Sequence, residues 1–272
     1  MSSPASTVVV PRMEQAGRLT QARVAVSEWT KLHSLRSTRW SLLVAVVLTV
    51  GLPLLFATIL SSRGNDLHHP HSALEVASAG VNVSQLAIAV LGVLLVTGEY
   101  STGMIRASFT AVPKRLPVLW AKTGVFAVVA FLLMLPSVLI AFFASQAILS
   151  RHHLLQISFS HAGVARAVVG GAVYLMLVGM LALAVGAIVR NTAGGIAAFA
   201  AVFFVIPPLL NVLPSSWNDA ISPWLPSEAG RSIFSLTHGA HSLAPWPGFA
   251  LFVGYTVLAL AVAAVLLVRR DV

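Results

Sequence analysis

The residues best placed to do chemistry lie in one polar stretch, Gly98-Glu99-Tyr100-Ser101-Thr102-Gly103-Met104-Ile105-Arg106, continued by Pro113-Lys114-Arg115 and Lys122. Apolar runs flank it at 81–97 and 123–149, and neither carries a charge. A central Lys or Arg costs about 2.5–3.5 kcal/mol in hydrocarbon, so this stretch is expected in water, as a loop or surface helix. Its chemistry is recognition. Glu99 is expected at the N-terminal end of a helix over 101–111, where the dipole favours a carboxylate, either paired with Arg106 or a basic partner residue or simply solvated. Tyr100, Ile105 and Phe109 supply apolar anchors for a groove, and Pro113 ends the helix.

Other constellations are weaker. His68-His69-Pro70-His71 beside Asp66 holds donors for a borderline divalent metal, but the spacing builds no rigid pair, and solvated loop histidines are the default. The chain has no Cys, which excludes disulfides and thiolate metal sites. It has neither a Gly-x-x-x-x-Gly-Lys-Ser/Thr loop nor a His-Glu-x-x-His pair, so no nucleotide or cofactor site of its own is expected.

The elements that must carry this chemistry are membrane spans. The 272 residues are 57% hydrophobic and 9% charged, against about a quarter charged in soluble domains. Six apolar runs reach spanning length, near 40–60, 79–97, 123–149, 167–189, 193–213 and 248–268. The expected fold is all-α and polytopic, with residues 1–22 a disordered cytoplasmic tail and 23–272 one six-span domain. None of the spans has Asp, Glu, Lys, Arg or His in its middle, which argues against ion-coupled transport and intramembrane proteolysis. With both termini inside, all of the 17 Lys and Arg residues except Arg63, Arg151, Arg166 and Arg231 fall on the cytoplasmic face. The net charge of +9 is therefore topological and implies no nucleic acid.

Before the first span, Trp29, Leu32 and Arg36 follow helical spacing, with Lys31 among them and Ser27 a candidate N-cap. This segment reads as an amphipathic helix in the membrane interface, or as a basic juxtamembrane linker. In the fifth span, Gly194, Ala198 and Ala201 belong to small-residue pairs that favour close helix contact, within the subunit or across a dimer. Pro207-Pro208 is expected to break that span near its outer end. The outer segment 214–247 reads as a small extracytoplasmic cap or a passive connector, with Ser227 as N-cap of a short helix and Glu228 at its positive end.

Ser27-Glu28-Trp29-Thr30-Lys31-Leu32 with Arg36-Ser37-Thr38, the 97–106 motif with Pro113-Lys114-Arg115 and Lys122, and Arg190-Asn191-Thr192 occur in order around six spans. In this the chain resembles the permease subunits of type-2 ABC exporters, particularly the actinobacterial branch, over about 26–270. The resemblance implies an amphipathic connecting helix (Trp29, Lys31, Leu32, Arg36) before the first span. It also implies a cytoplasmic coupling helix after the second span that docks on an ATPase, with Glu99, Tyr100, Gly103, Ile105, Arg106, Phe109, Pro113 and Arg115 as its coupling residues. The implied assembly holds two ATPase copies and a second permease, identical or different, in the plasma membrane. ATP hydrolysis then belongs to the partner and the chain is no enzyme. A membrane anchor or sensor of a signalling or resistance complex, transporting nothing, is the alternative.

Overall fold

The computed structural model describes residues 21–34, 36–63, 70–101, 115–152, 154–212, 214–237 and 242–269. These residues form helices and turns, with no strand among them. The order is α1 (Gln21–Ser34), α2 (Arg36–Arg63), α3 (Pro70–Ser101), α4 (Arg115–Arg151), α5 (Val164–Val189) and α6 (Thr192–Ala200). A π-helical turn, Ala201–Val205, leads into α7 (Ile206–Leu210); then come α8 (Ser215–Ile221), a 3-10 turn at Ser222–Trp224, α9 (Pro226–Arg231) and α10 (Pro245–Arg269). Six helical stretches are long and apolar enough to cross a membrane: α2, α3, α4, α5, the Thr192–Leu210 run through α6 and α7, and α10. The protein is an all-α polytopic membrane protein.

The helices alternate in direction, so each end of the bundle gathers its own contacts. Thr97, Lys122, Arg190 and Leu266 meet at one end, called here the basic end. At the other, capped end, Arg166 donates to the carbonyls of Ser232, Ile233 and Ser235, and Thr237 to Glu75.

Two helices form the centre. The apolar stretches of α3 and α5 are 61% and 67% buried within the chain, against 22–39% for the four others. Glycine explains how closely the central pair packs. A Cβ on Gly92 of α3 would lie 2.4 Å from the Gly179 carbonyl oxygen of α5, and one on Gly186 would lie 3.1 Å from Val93. Lipid offers no hydrophobic drive between helices, so such backbone-to-backbone approach supplies the cohesion as van der Waals contact. The outer helices turn Trp40, Val47, Leu132, Ile140 and Leu258 outward, an apolar surface suited to acyl chains.

Three local expectations are corrected. Ser27 lies in the middle of α1, which begins at Gln21, and caps nothing. The Ser227 cap is also absent: Pro226 opens α9 from Leu225, and the Ser227 hydroxyl is buried without a partner among the described residues. Proline at the first helical position needs no N–H donor, which starts that helix without a side-chain cap. Pro207-Pro208 does not break the fifth span. The π turn immediately before α7 widens the backbone spiral where two prolines remove donors, and the helix runs on to Leu210.

Candidate functional site

The last turn of α3 is where the chain's ionic chemistry collects. Gly98-Glu99-Tyr100-Ser101 continues the helix, whereas the sequence reading put it in a loop or a new helix. Glu99 therefore sits at the negative end of a helix dipole, the unfavourable end for a carboxylate. It also lies 8% exposed. Both costs require cations close by.

Two lysines supply them. On α1, Val24, Glu28 and Leu32 recur every four residues and are all buried, so one stripe of the helix faces the bundle. Val24 packs with Val118 and Ala121 of α4, seating α1 against the start of that helix. This sets Glu28 beside Lys122, each about two turns into its helix. Lys122 Nζ donates to Glu28 Oε2 at 2.5 Å and to Glu99 Oε1 at 2.8 Å. Lys31 Nζ donates to Glu28 Oε1 at 2.8 Å and to Glu99 Oε1 at 3.1 Å. Each lysine bridges both carboxylates, giving a closed four-member ring from three helices. Lys122 and both glutamates are at most 10% exposed; Lys31, at 26%, is its open lip.

The ring holds Glu28 and Lys31 ionised. Burial alone would raise the Glu28 pKa, but Lys122, and after it Lys31, outweigh it and hold the carboxyl below its ordinary 4.5. Burial likewise pulls Lys31 down, and Glu28 with Glu99 overcome it to leave the amine above its ordinary 10.5. The ring carries two charges of each sign and no net charge. Its groups are spent on one another, which suits a fastener better than an acid or base catalyst. Burying such a ring adds little net stability, while removing one member strands a charge.

A second fastening uses the next residue. The Arg190 guanidinium lies 5.2 Å from the centre of the Tyr100 ring, a cation–π distance, and its Nη2 donates to the Leu266 carbonyl of α10. Arg190 has φ 57°, a left-handed conformation rare outside glycine, and its backbone N–H donates to the Gly186 carbonyl to end α5. Asn191 then caps α6 by accepting from Gly194 N at 2.8 Å, and Thr192 Oγ1 donates to Thr97 Oγ1 at 2.8 Å. Arg190-Asn191-Thr192 is thus a tight corner tied back to α3. Glu99 binds α1 and α4, while Tyr100 meets the α5–α6 corner.

Of the expected coupling residues, Glu99 and Tyr100 come together here. Glu99 pairs with Lys31 and Lys122, correcting its solvated alternative, while the helix expected over 101–111 lies beyond Ser101 outside the described residues. Gly103, Ile105, Arg106, Phe109 and Pro113 lie outside the described residues, and Arg115 begins α4. On α1, Lys31 joins the ring and Leu32 is buried in the core, whereas Trp29 and Arg36 are exposed and take no part. The sequence reading included Glu28 and Lys122 in its motifs but paired neither with a partner. Glu28 had a faint signal, its spacing of three from Lys31; Lys122, well inside a long apolar helix, had the clearer one.

On α6, the residues turned inward are Phe199 and Gly195, and a Cβ added to Gly195 would lie 2.9 Å from Val93. Ala198 is exposed, and Gly194 and Ala201 are half-buried. His68 and His69 fall outside the described residues, among which no group of three metal-ligating side chains occurs. Compared with models of known protein families and with curated protein sequences, the chain gives no significant match.

Proposed function

We propose that this protein is the membrane-spanning permease subunit of an ATP-driven exporter of the ABC type, moving an amphipathic or hydrophobic substrate out of the cell. The observation that carries this reading is the Glu28–Lys31–Glu99–Lys122 ring. A separate motor must push on something stiff. The ring fastens an interfacial helix, α1, to the ends of two spans immediately beside the 102–114 segment that the resemblance assigns to motor docking. Force applied to that segment would pass into α3 and α4 together and drag α1 with them. The positive-inside rule puts this basic end in the cytoplasm of a plasma membrane. Export also demands a pathway. The exposed small residues of α6, Ala197 and Ala198, would let a second permease approach closely and form one between the subunits.

Reconstitution with candidate ATPases that carry a Gly-x-x-x-x-Gly-Lys loop, found by co-purification or as a neighbouring gene product, tests the reading. Because the chain lacks cysteine, Phe109→Cys and Ala198→Cys give single-site cross-linkers, the first expected to capture the ATPase and the second another permease. Binding to this chain should change the ATPase's hydrolysis rate. Glu99→Gln should leave that binding intact while weakening the response, since the docking segment stays but its fastening loosens. A chain that neither captures the ATPase nor alters its hydrolysis overturns the proposal.

A further inference from the structure

From the basic end inward, the outer face of α2 changes chemistry in the order that a phospholipid does. Thr38, Ala45 and Thr49 are buried and mark the side of α2 that faces the bundle. Arg36, Arg39, Trp40, Leu43 and Val47 are exposed and, by helical spacing, share the opposite face. Two cations come first, then an aromatic ring that is 67% exposed, then an apolar surface that continues to the exposed Gly51. Arg36 to Gly51 covers about 22 Å of helix, and one leaflet with its headgroups is about 20–22 Å deep.

The two guanidinium groups are uncommitted. Neither makes an ion pair or hydrogen bond among the described residues, and α2 contains no Asp or Glu. The described carboxylates of this end are Glu28 and Glu99, and Lys31 and Lys122 hold both. Because the ring is neutral within itself, it offers Arg36 and Arg39 no compensation. Their positive charge faces outward at the membrane surface.

We infer that the α2 face from Arg36 to Gly51 is a binding site for an acidic phospholipid. Its phosphate lies on Arg36 and Arg39, its glycerol region beside Trp40, and its acyl chains along Leu43 and Val47. Arginine reaching to the phosphate level past an interfacial Trp is a stable arrangement at a membrane surface. A zwitterionic lipid carries its own cation and gains less from the arginines. A soluble anion would leave Trp40, Leu43 and Val47 uncovered, and a soluble protein could not reach the last two within the hydrocarbon. A second copy packed here about a two-fold axis along the membrane normal would set like charges side by side. The site needs no ATPase, so it stands or falls apart from the exporter reading.

The test uses the full chain with Trp40 as its one tryptophan, the other five replaced by Phe. All five are exposed, so the fold is expected to persist. A second chain keeps Trp246 alone, exposed at the start of α10 on the capped end. Both are placed in phosphatidylcholine vesicles holding acyl-brominated phosphatidylglycerol or acyl-brominated phosphatidylcholine at equal mole fraction, and bromine quenches a tryptophan that it touches. Phosphatidylglycerol should be preferred at Trp40 by about fivefold for each arginine, and not at Trp246. Arg36→Gln and Arg39→Gln should each lower the preference about fivefold, and the double variant should abolish it. All three should melt like the wild type in pure phosphatidylcholine, since both side chains are exposed and unpaired among the described residues. Salt at 1 M should weaken the preference. Equal quenching of Trp40 by the two lipids overturns the inference, as does a preference that survives the double variant or appears equally at Trp246. Displacement of the lipid by glycerol 3-phosphate would make this a site for soluble phosphate, and a Trp40 quenched by neither lipid would show it covered by protein; either result overturns the inference.

Discussion

The two ends of the bundle use the same kinds of side chain for opposite purposes. At the basic end, two carboxylates and two ammonium groups close on one another, at most 10% exposed apart from Lys31. At the capped end, three carboxylates and one guanidinium of the described residues line an open cavity, and the Glu228–Arg231 pair is exposed by more than a third on both sides. Buried charge must be compensated inside the protein, so the first arrangement is closed and stiff. The second lies open to water, which screens its charges. Counting ionisable residues would rank the two ends alike; burial separates them.

Removing one cation from each end would give the widest contrast. Lys122→Met leaves Glu28 and Glu99 with Lys31 alone, and should destabilise the protein by about 3–5 kcal/mol in denaturant unfolding from lipid nanodiscs. Replacing the ring as a set, with Glu28→Gln, Lys31→Gln, Glu99→Gln and Lys122→Met together, should recover much of that loss. If Lys122→Met alone melts like the wild type, the ring is not sealed from water and the contrast between the ends disappears.

Acid gives the next largest effect. The Glu28 carboxyl is held below its ordinary 4.5 in the folded state, so its contribution is complete above that value and is lost as pH falls through the lowered pKa. Lys31 acts in the opposite sense. Its pKa is raised, so its contribution is complete below 10.5 and fades only as pH rises through the raised value. Stability should therefore be flat through neutral pH and fall in acid. The wild-type and Glu28→Gln melting curves should converge there, whereas parallel curves down to pH 3 would place the ring's titration elsewhere.

Arg190→Ala should cost less, about 1–2 kcal/mol, from the lost contact with Tyr100 and the Leu266 carbonyl. An α5–α6 corner that keeps full thermal stability without it would show that Thr192 and Asn191 suffice. The smallest effect belongs to the capped end. Glu75→Gln should shift stability by less than about 0.5 kcal/mol, because the side chain is exposed and solvated. A large loss there would make Glu75 a structural residue.

Much of the architecture was legible because hydropathy is a local property. Apolar runs of spanning length must become helices in lipid, whatever their neighbours, and all six do so here. The helices then extend beyond the hydrophobic runs, to Arg36 before the first and Ser101 after the second. The sequence boundary marks where polarity begins, and a helix need not end there. That difference places Glu99 within α3, two residues before the end of its described part, while the helix expected over 101–111 lies outside the described residues. Lys31 and Leu32 were recognisable on α1 by helical spacing, although the buried stripe runs through Val24, Glu28 and Leu32 and leaves Trp29 outside.

The sequence by itself determined the six spans, the excess of positive charge at one end, and the absence of ionisable groups from the middle of the membrane stretches. Each follows from composition along a few tens of residues. Only the tertiary structure decided which charges face each other. Glu28, Glu99 and Lys122 are separated by 71 and 23 positions, and their meeting depends on how α1, α3 and α4 pack. The same holds for Gly195, which faces Val93 while its neighbour Gly194 does not, a difference of one residue's rotation on a helix whose faces are equally apolar. Pairing across helices is a property of the bundle, and no local pattern encodes it.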